Sequence, residues 1–281
     1  MTTIDILCIG GAHVDLIARS SGQLQAATSN PGTITRRTGG VAFNVARGLA
    51  ARDHHAALAG VVGNDDDGHL VRAALGDAAV INALIVSASH PTGRYVAVED
   101  RGGALLAGVA ETAGLDALSP RCLAPTCERY RDACWWFVDA NLPEPTLRTV
   151  AALPARPKLA LDAVSVAKAP RLAGSLPKAD LLFCNADEAA VVPIDSCPAV
   201  VITNGREPVR VVTAGVTTWL DVPNVEVQSV TGAGDSLIAA TLDRLLAGEP
   251  LVQAVRAGIE AATILISSKG DKNHEQPHAA R

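Results

Sequence analysis

Val230-Thr231-Gly232-Ala233-Gly234-Asp235 runs directly into Leu237, Ile238, Leu242, Leu245 and Leu246, apolar residues at helical spacing. Gly248 is placed to end that helix, and Pro250 prevents its continuation. The stretch therefore forms a glycine-rich elbow that presents backbone N–H groups at a helix N-terminus, where hydrogen bonding and the helix dipole together hold an anion. Its two glycines let a phosphate come close to the backbone. Asp235 falls in the first turn. A carboxylate there complements the dipole, and it equally suits a general base for a hydroxyl attacking a phosphoryl group held by the loop. No Gly-Lys-Ser/Thr follows, so this is not a Walker loop, and the spacing is not Gly-x-Gly-x-x-Gly.

Upstream of the elbow, apolar runs bounded by turn residues alternate with helix-like segments. Strands are expected at residues 4–9, 56–62, 135–138, 159–162, 181–185 and 200–203, and a helix at 43–52. Continuous apolar runs of this kind predict an α/β fold with a mostly parallel sheet buried on both faces by helices. One stretch breaks the pattern: residues 93–100 and 104–109 read as a hairpin closed by Asp100-Arg101-Gly102-Gly103. Residues 17–37 read as irregular, with a turn at Asn30-Pro31-Gly32. Together they are expected to form a small β-flap or lid, from segments about 14–38 and 92–110, on a single domain spanning 1–281. Residues 269–281 read as a polar tail.

Bulk properties narrow the classes. Among 281 residues, 48% are hydrophobic and only 3% aromatic, which suits Ala-rich helices on a sheet. A net charge of −5 without any Lys/Arg run argues against a nucleic-acid partner. No stretch reaches the length of a membrane span, and the first residues lack the pattern of a signal peptide, so the chain reads as cytoplasmic. The six cysteines form no Cys-x-x-Cys pair and read as reduced thiols. His54, His55 and His274 are expected to face solvent.

Near the N-terminus, Gly10-Gly11-Ala12-His13-Val14-Asp15 places a carboxylate just past the first strand, and Gly39-Gly40 precede a helix carrying Asn44. Asp15 and Asn44 can bracket vicinal hydroxyls of a sugar; a turn-forming Asp and a helix-capping Asn explain them as well. The elbow, followed by an Ala-rich helix, resembles the C-terminal signature of the ribokinase-like (PfkB) carbohydrate and nucleoside kinases, and the likeness extends over residues 6–267. It implies a central sheet sandwiched by helices with a β-lid over the sugar. It implies Asp235 as catalytic base, with Gly232, Ala233 and Gly234 as the anion hole. Asp15, Gly39, Gly40 and Asn44 then hold the sugar, with Thr92 and Arg94 contributing from the lid. Asn185-Ala186-Asp187-Glu188 resembles the family's Asn-x-x-Glu motif, so Asn185 and Glu188 are implied for Mg²⁺. Thr203, Gly205 and Thr231 are implied for ATP, with residues 261–268 against the adenine. Lys168 either neutralises phosphate charge or sits on the surface.

Within the family, Thr28-Ser29-Asn30-Pro31-Gly32 and Leu161-Asp162-Ala163-Val164-Ser165-Val166-Ala167-Lys168 look most like pseudouridine kinases. The implied reaction is ATP-dependent phosphorylation of the 5′-hydroxyl of a ribosyl nucleoside, with a homodimer formed through the lid. The reading leaves open a free-sugar or other nucleoside kinase, a monovalent cation, and a catalytically silent nucleoside sensor. A Rossmann dehydrogenase binding its dinucleotide at Gly10-Gly11 is a further rival, although the third glycine of that fingerprint is missing here. Two departures stand out: Ala163 replaces the proline expected after Asp162, and the span from Glu188 to Val200, with Pro193 and Pro198, is too short for the usual helix.

Overall fold

In the computed structural model, which describes residues 3–226 and 231–267, the apolar runs become the strands of one large sheet. Val230, His274 and the expected tail at 269–281 lie outside the described residues. The amino-terminal part comprises β1 (Ile6–Ile9), β2 (His13–Ser20), β3 (Gly32–Gly39), α1 (Val41–Ala50), β4 (Ala56–Ala59) and β5 (Val61–Gly63). It continues through α2 (Asp66–Asp77), β6 (Ile81–Asn82), β7 (Ile85–Ser87), β8 (Gly93–Glu99), β9 (Leu105–Glu111), α3 (Ala113–Asp116) and α4 (Pro120–Arg129). After them come β10 (Trp135–Asp139), α5 (Glu144–Ala151), β11 (Lys158–Asp162), β12 (Leu181–Asn185), α6 (Ala186–Ala189) and β13 (Ala199–Asn204). The last elements are β14 (Glu207–Thr213), β15 (Val216–Leu220), α7 (Ala233–Leu246) and α8 (Leu251–Ser267).

The main sheet has nine strands in the order β15-β14-β13-β12-β11-β10-β1-β4-β6. From β13 to β6 every pairing is parallel, and β14 and β15 close one edge as an antiparallel hairpin. In β1, Leu7 and Ile9 join the core on one face, whereas Ile6 and Cys8 join the core on the other. That alternation explains why the run is apolar throughout: both faces are covered. Leu123 of α4 and Leu147 of α5 pack on the first face. On the second lie Phe43 and Leu49 of α1, Leu237 and Leu242 of α7, and Ile259 of α8.

A second, four-stranded sheet has the order β3-β2-β8-β9. Its central pair, β2 and β8, is parallel, and the outer strands are antiparallel to them. The hairpin at β8–β9 was legible in the sequence, and the stretch at 17–37, expected to add strands to the same flap, does so: β2 and β3 pair in register from His13–Gly39 to Ser20–Gly32. The expected strand at 56–62 is two strands, parted at Gly60, with β5 pairing β7 in a separate small sheet. After Glu188 there is only a single 3₁₀ turn at Ile194–Ser196 before β13, as the prolines imply. Among the described residues, no helix is long and apolar enough to cross a membrane.

The expectation that His54 faces solvent is overturned. Its Nε2 lies 2.8 Å from Asp243 Oδ1 on α7, and its Nδ1 lies 3.8 Å from Asp5 Oδ2. The imidazole ties the loop after α1 to the last turn of α7. All six cysteines are unpaired thiols, and Cys8, Cys127, Cys184 and Cys197 are buried.

Candidate active site

The parallel strands end together at one edge of the sheet, where an α/β fold binds its ligands. β1 leads into Gly10-Gly11, β10 ends in Asp139, β11 in Asp162 and β12 in Asn185. Asp139 is fully buried and organises this edge. Its Oδ2 accepts the N–H groups of Gly11 (2.8 Å) and Ala42 (3.1 Å), and its Oδ1 accepts that of Asn141 (3.0 Å). Burial raises its pKa, and these hydrogen bonds oppose the rise. One carboxylate thereby fixes both the loop after β1 and the start of α1.

Gly40 is the N-cap of α1, with φ of 111°. A Cβ at this position would stand 2.2 Å from the Gly11 carbonyl oxygen, so the close approach of the two loops requires glycine. Asp15 Oδ2 lies against Gly39, where a Cβ would come within 2.3 Å. Asp15 sits within β2, so a turn-forming role is set aside; its Oδ1 is 3.0 Å from His13 Nε2 and has no hydrogen-bond partner. Asn44 is not a cap either. Its Nδ2 donates to Asp235 Oδ2 at 2.7 Å, joining the expected sugar clamp to the expected base.

Gly232, with φ of 80°, is the N-cap of α7, and Ala233, Gly234 and Asp235 form its first turn. First-turn N–H groups have no acceptor within a helix. Among the described residues, nothing lies within 4 Å of where a Gly234 Cβ would be, leaving room for a ligand. A cavity of about 200 Å³ opens beside this turn, and Asp162, Asn185, Glu188, Thr203, Gly234 and Asp235 line it. Burial pushes the Asp235 carboxyl up to about 6; Asp139 and Asp15 add to this, while the Asn44 amide and His13 oppose it. Asp162 rises well above the usual carboxylate range, first through burial and then through Asp235, Glu188 and Asp139.

Asn185 and Glu188 form a reciprocal capping box on α6: Asn185 Oδ1 accepts the Glu188 N–H (2.9 Å) and Glu188 Oε2 accepts the Asn185 N–H (2.8 Å). Burial raises the Glu188 pKa, and the neighbouring charge of Asp187 adds to the rise. Thr231 precedes the elbow on its exposed side. Gly205, with φ of 58°, makes the turn between β13 and β14.

Three expected residues are engaged elsewhere. Thr92 Oγ1 donates to Asp65 Oδ1 (2.6 Å) and accepts from the Gly63 N–H (2.8 Å), so the N-cap of α2 holds the start of β8. Arg94 Nε pairs with Asp67 Oδ2 at 2.5 Å, and Arg36 of β3 bonds the other oxygen of the same buried carboxylate. Lys168 Nζ donates to Asn141 Oδ1, and burial lowers its pKa. Sequence reasoning missed Asp139, Asp162 as a lining residue, and His13, which stands near enough to Asp15 and Asp235 to act on both.

The model of the pfkB family carbohydrate kinases matches residues 3–278. The chain belongs to that family. The pseudouridine kinase of Escherichia coli (strain K12) is 24% identical over 95% of this chain and 92% of its own length. A carbohydrate kinase from Agrobacterium tumefaciens superposes with a TM-score of 0.84 at 30% identity, covering 94% of this pfkB-family kinase and 91% of that chain. The ribokinase of Arabidopsis thaliana, solved with ribose and ATP, gives a TM-score of 0.83 at 19% identity over 96% of this chain and 94% of that one, a likeness of fold.

Proposed function

We propose that this pfkB-family kinase transfers the γ-phosphoryl group of ATP to the 5′-hydroxyl of a ribosyl nucleoside, with pseudouridine the favoured acceptor. The 2.7 Å hydrogen bond between Asn44 and Asp235 carries the reading, because it sets a carboxamide suited to sugar hydroxyls against a carboxylate at the N-terminus of α7. Asp15 and Asn44 hold the ribosyl hydroxyls, with Gly39 and Gly40 leaving them space. Asp235 takes the proton of the primary hydroxyl as it attacks. The N–H groups of the Gly232–Gly234 turn stabilise charge on the transferring group. A pKa near 6 keeps most of Asp235 ionised at neutral pH yet basic enough to accept a proton. Similarity to the E. coli pseudouridine kinase supports the choice of acceptor.

On the nucleotide side, Thr203 lines the cavity, and Gly205 and Thr231 complete the ATP contacts in this proposal. Glu188 keeps Oε1 outside its capping box and lines the cavity, an oxygen donor that fits Mg²⁺. Among the described residues, no three His, Cys, Asp or Glu side chains are grouped to enclose a metal, consistent with an ion held by one carboxylate, phosphates and water. When bound, the ion neutralises phosphate charge. The small sheet acts as a lid, and its outer strands expose Ile34 (74%) and Val109 (67%), apolar surface suited to a homodimer. Light scattering that finds a monomer removes the dimer from this proposal.

An ATP-consumption screen over pseudouridine, uridine, adenosine, ribose and fructose tests the reaction, with Asp235→Asn as the control. Pseudouridine is expected to lead, and Asp235→Asn to lose orders of magnitude in kcat with acceptor affinity nearly kept. Preference for ribose overturns the acceptor, normal turnover by Asp235→Asn overturns the base, and binding without turnover leaves a nucleoside sensor.

A further inference from the structure

We infer that Gly48, which takes no part in the chemistry, is the positioning residue that fixes how closely Asn44 stands to Asp235. The inference rests on the role given above to Asp235 and concerns the seam between α1 and α7. Residues four apart share a helix face. Along that face Asn44 meets Asp235, and one turn further Gly48 meets Ala239. Beyond them His54, just past α1, meets Asp243. The two helices run in the same direction, with a polar contact at either end of one close approach.

Glycine is a poor residue inside a helix, because it loses the most backbone freedom on folding and adds no side chain to the packing. Its presence in the middle of α1 calls for a local reason, and the geometry supplies one. A Cβ on residue 48 would stand 2.7 Å from the Ala239 Cβ and 3.7 Å from Arg52 Nη1. Carbon atoms in contact settle at about 3.5–4 Å. Alanine at 48 therefore drives the helices apart by roughly 1 Å. Ala239 is fully buried under the sheet-facing side of α7, so it has no room to turn aside. The displacement is passed to the next turn, where a 2.7 Å hydrogen bond stretched by about 1 Å no longer holds.

The groups facing Asp235 are the Asn44 amide from α1, His13 and Asp15 from β2, Asp139 from β10 and Asp162 from β11. Among these, only Asn44 lies on α1, the helix that carries residue 48. Losing its hydrogen bond removes support for the ionised carboxylate, and the titration of Asp235 moves to higher pH.

The test is NMR titration of protein labelled with ¹³C at the aspartate side-chain carboxyls, with the Asp235 signal assigned through Asp235→Asn. Four proteins are compared: the parent, Gly48→Ala, Ala239→Gly, and Gly48→Ala with Ala239→Gly. In Gly48→Ala the Asp235 midpoint is expected to rise by about one pH unit, the share of a hydrogen bond to a charged group. In the double variant, which returns the missing space from the other helix, it is expected to fall back to the parent value. Ala239→Gly alone is expected to leave it in place. An unmoved midpoint in Gly48→Ala overturns the inference, as does a raised midpoint that the second substitution does not restore. A merely structural role for Gly48 lowers the melting temperature without moving the titration. The readout needs no turnover, so a kinase that fails the acceptor screen leaves this experiment intact.

Discussion

Replacing Asn44 by leucine tests the coupling between the two halves of the site most directly. Leucine has the same branched skeleton as asparagine, with bulkier methyl groups that keep water from taking the place of the amide. The 2.7 Å bond from Asn44 Nδ2 to Asp235 Oδ2 supports the ionised carboxylate and opposes the burial that raises its pKa to about 6. A hydrogen bond to a charged group contributes about 1.5–3 kcal/mol. Asp235 borders a cavity open to solvent, which favours the lower end, and ~1.4 kcal/mol corresponds to one pH unit. The midpoint is therefore expected near pH 7 in Asn44→Leu, about one unit above the parent. At pH 6.5 the ionised share falls from about three-quarters to about one-quarter, a loss of about threefold; near pH 8.5 the loss from this cause almost vanishes. The assay is kcat/KM for ATP-dependent phosphorylation at limiting acceptor, measured from pH 5.5 to 8.5, since that ratio reports the free enzyme. Asn44→Leu also weakens acceptor binding, but that loss is the same at every pH. A variant-to-parent ratio that stays flat across the range would refute the coupling.

Three other substitutions probe the supports. Gly10→Ala places a Cβ 2.2 Å from the Asp139 carboxyl carbon at φ of 155°, so a loss of about 2–3 kcal/mol is expected, read by chemical denaturation, along with weaker acceptor binding. Asp162→Asn is expected to raise the melting temperature more at pH 8 than at pH 5. The native pKa lies above the ordinary 3.8, so the protonated carboxyl favours the fold at low pH and that contribution is lost as pH rises through the native value, a loss a neutral amide escapes; an equal gain at both pH values contradicts this. Asp67→Asn frees Arg36 and Arg94 from their shared carboxylate, and scanning calorimetry is expected to show a fall of about 2–4 °C, with acceptor KM raised and kcat nearly kept.

What the sequence displayed well was local or periodic. The helix after Gly232 follows from apolar spacing and a glycine–proline stop, and α7 ends as expected at Leu246. The fully buried strands show as continuous apolar runs. What stayed hidden depends on partners far along the chain. Thr92 looks like a free hydroxyl until Asp65, 27 residues earlier, is found holding it. His54 looks like a surface histidine until Asp243, 189 residues away, comes within 2.8 Å. Asp139 reads as the polar end of Trp-Trp-Phe-Val-Asp, and nothing local announces a carboxylate holding three N–H groups. The bounds of β2 and β3 within the expected flap were not legible, because these strands lie in a small sheet and β3 is mostly exposed, which weakens the apolar signal.

The Asp139 carboxylate also bears on how the protein is made. It reaches the Gly11 N–H across 128 residues and the Ala42 N–H across 97, so both acceptor loops leave the ribosome well before the group that fixes them. Contacts of such long sequence separation form late, because the loop entropy must be overcome first. An amino-terminal fragment ending before β10 therefore contains Asp15 and Asn44 but lacks the carboxylate that fixes the loop after β1 and the start of α1.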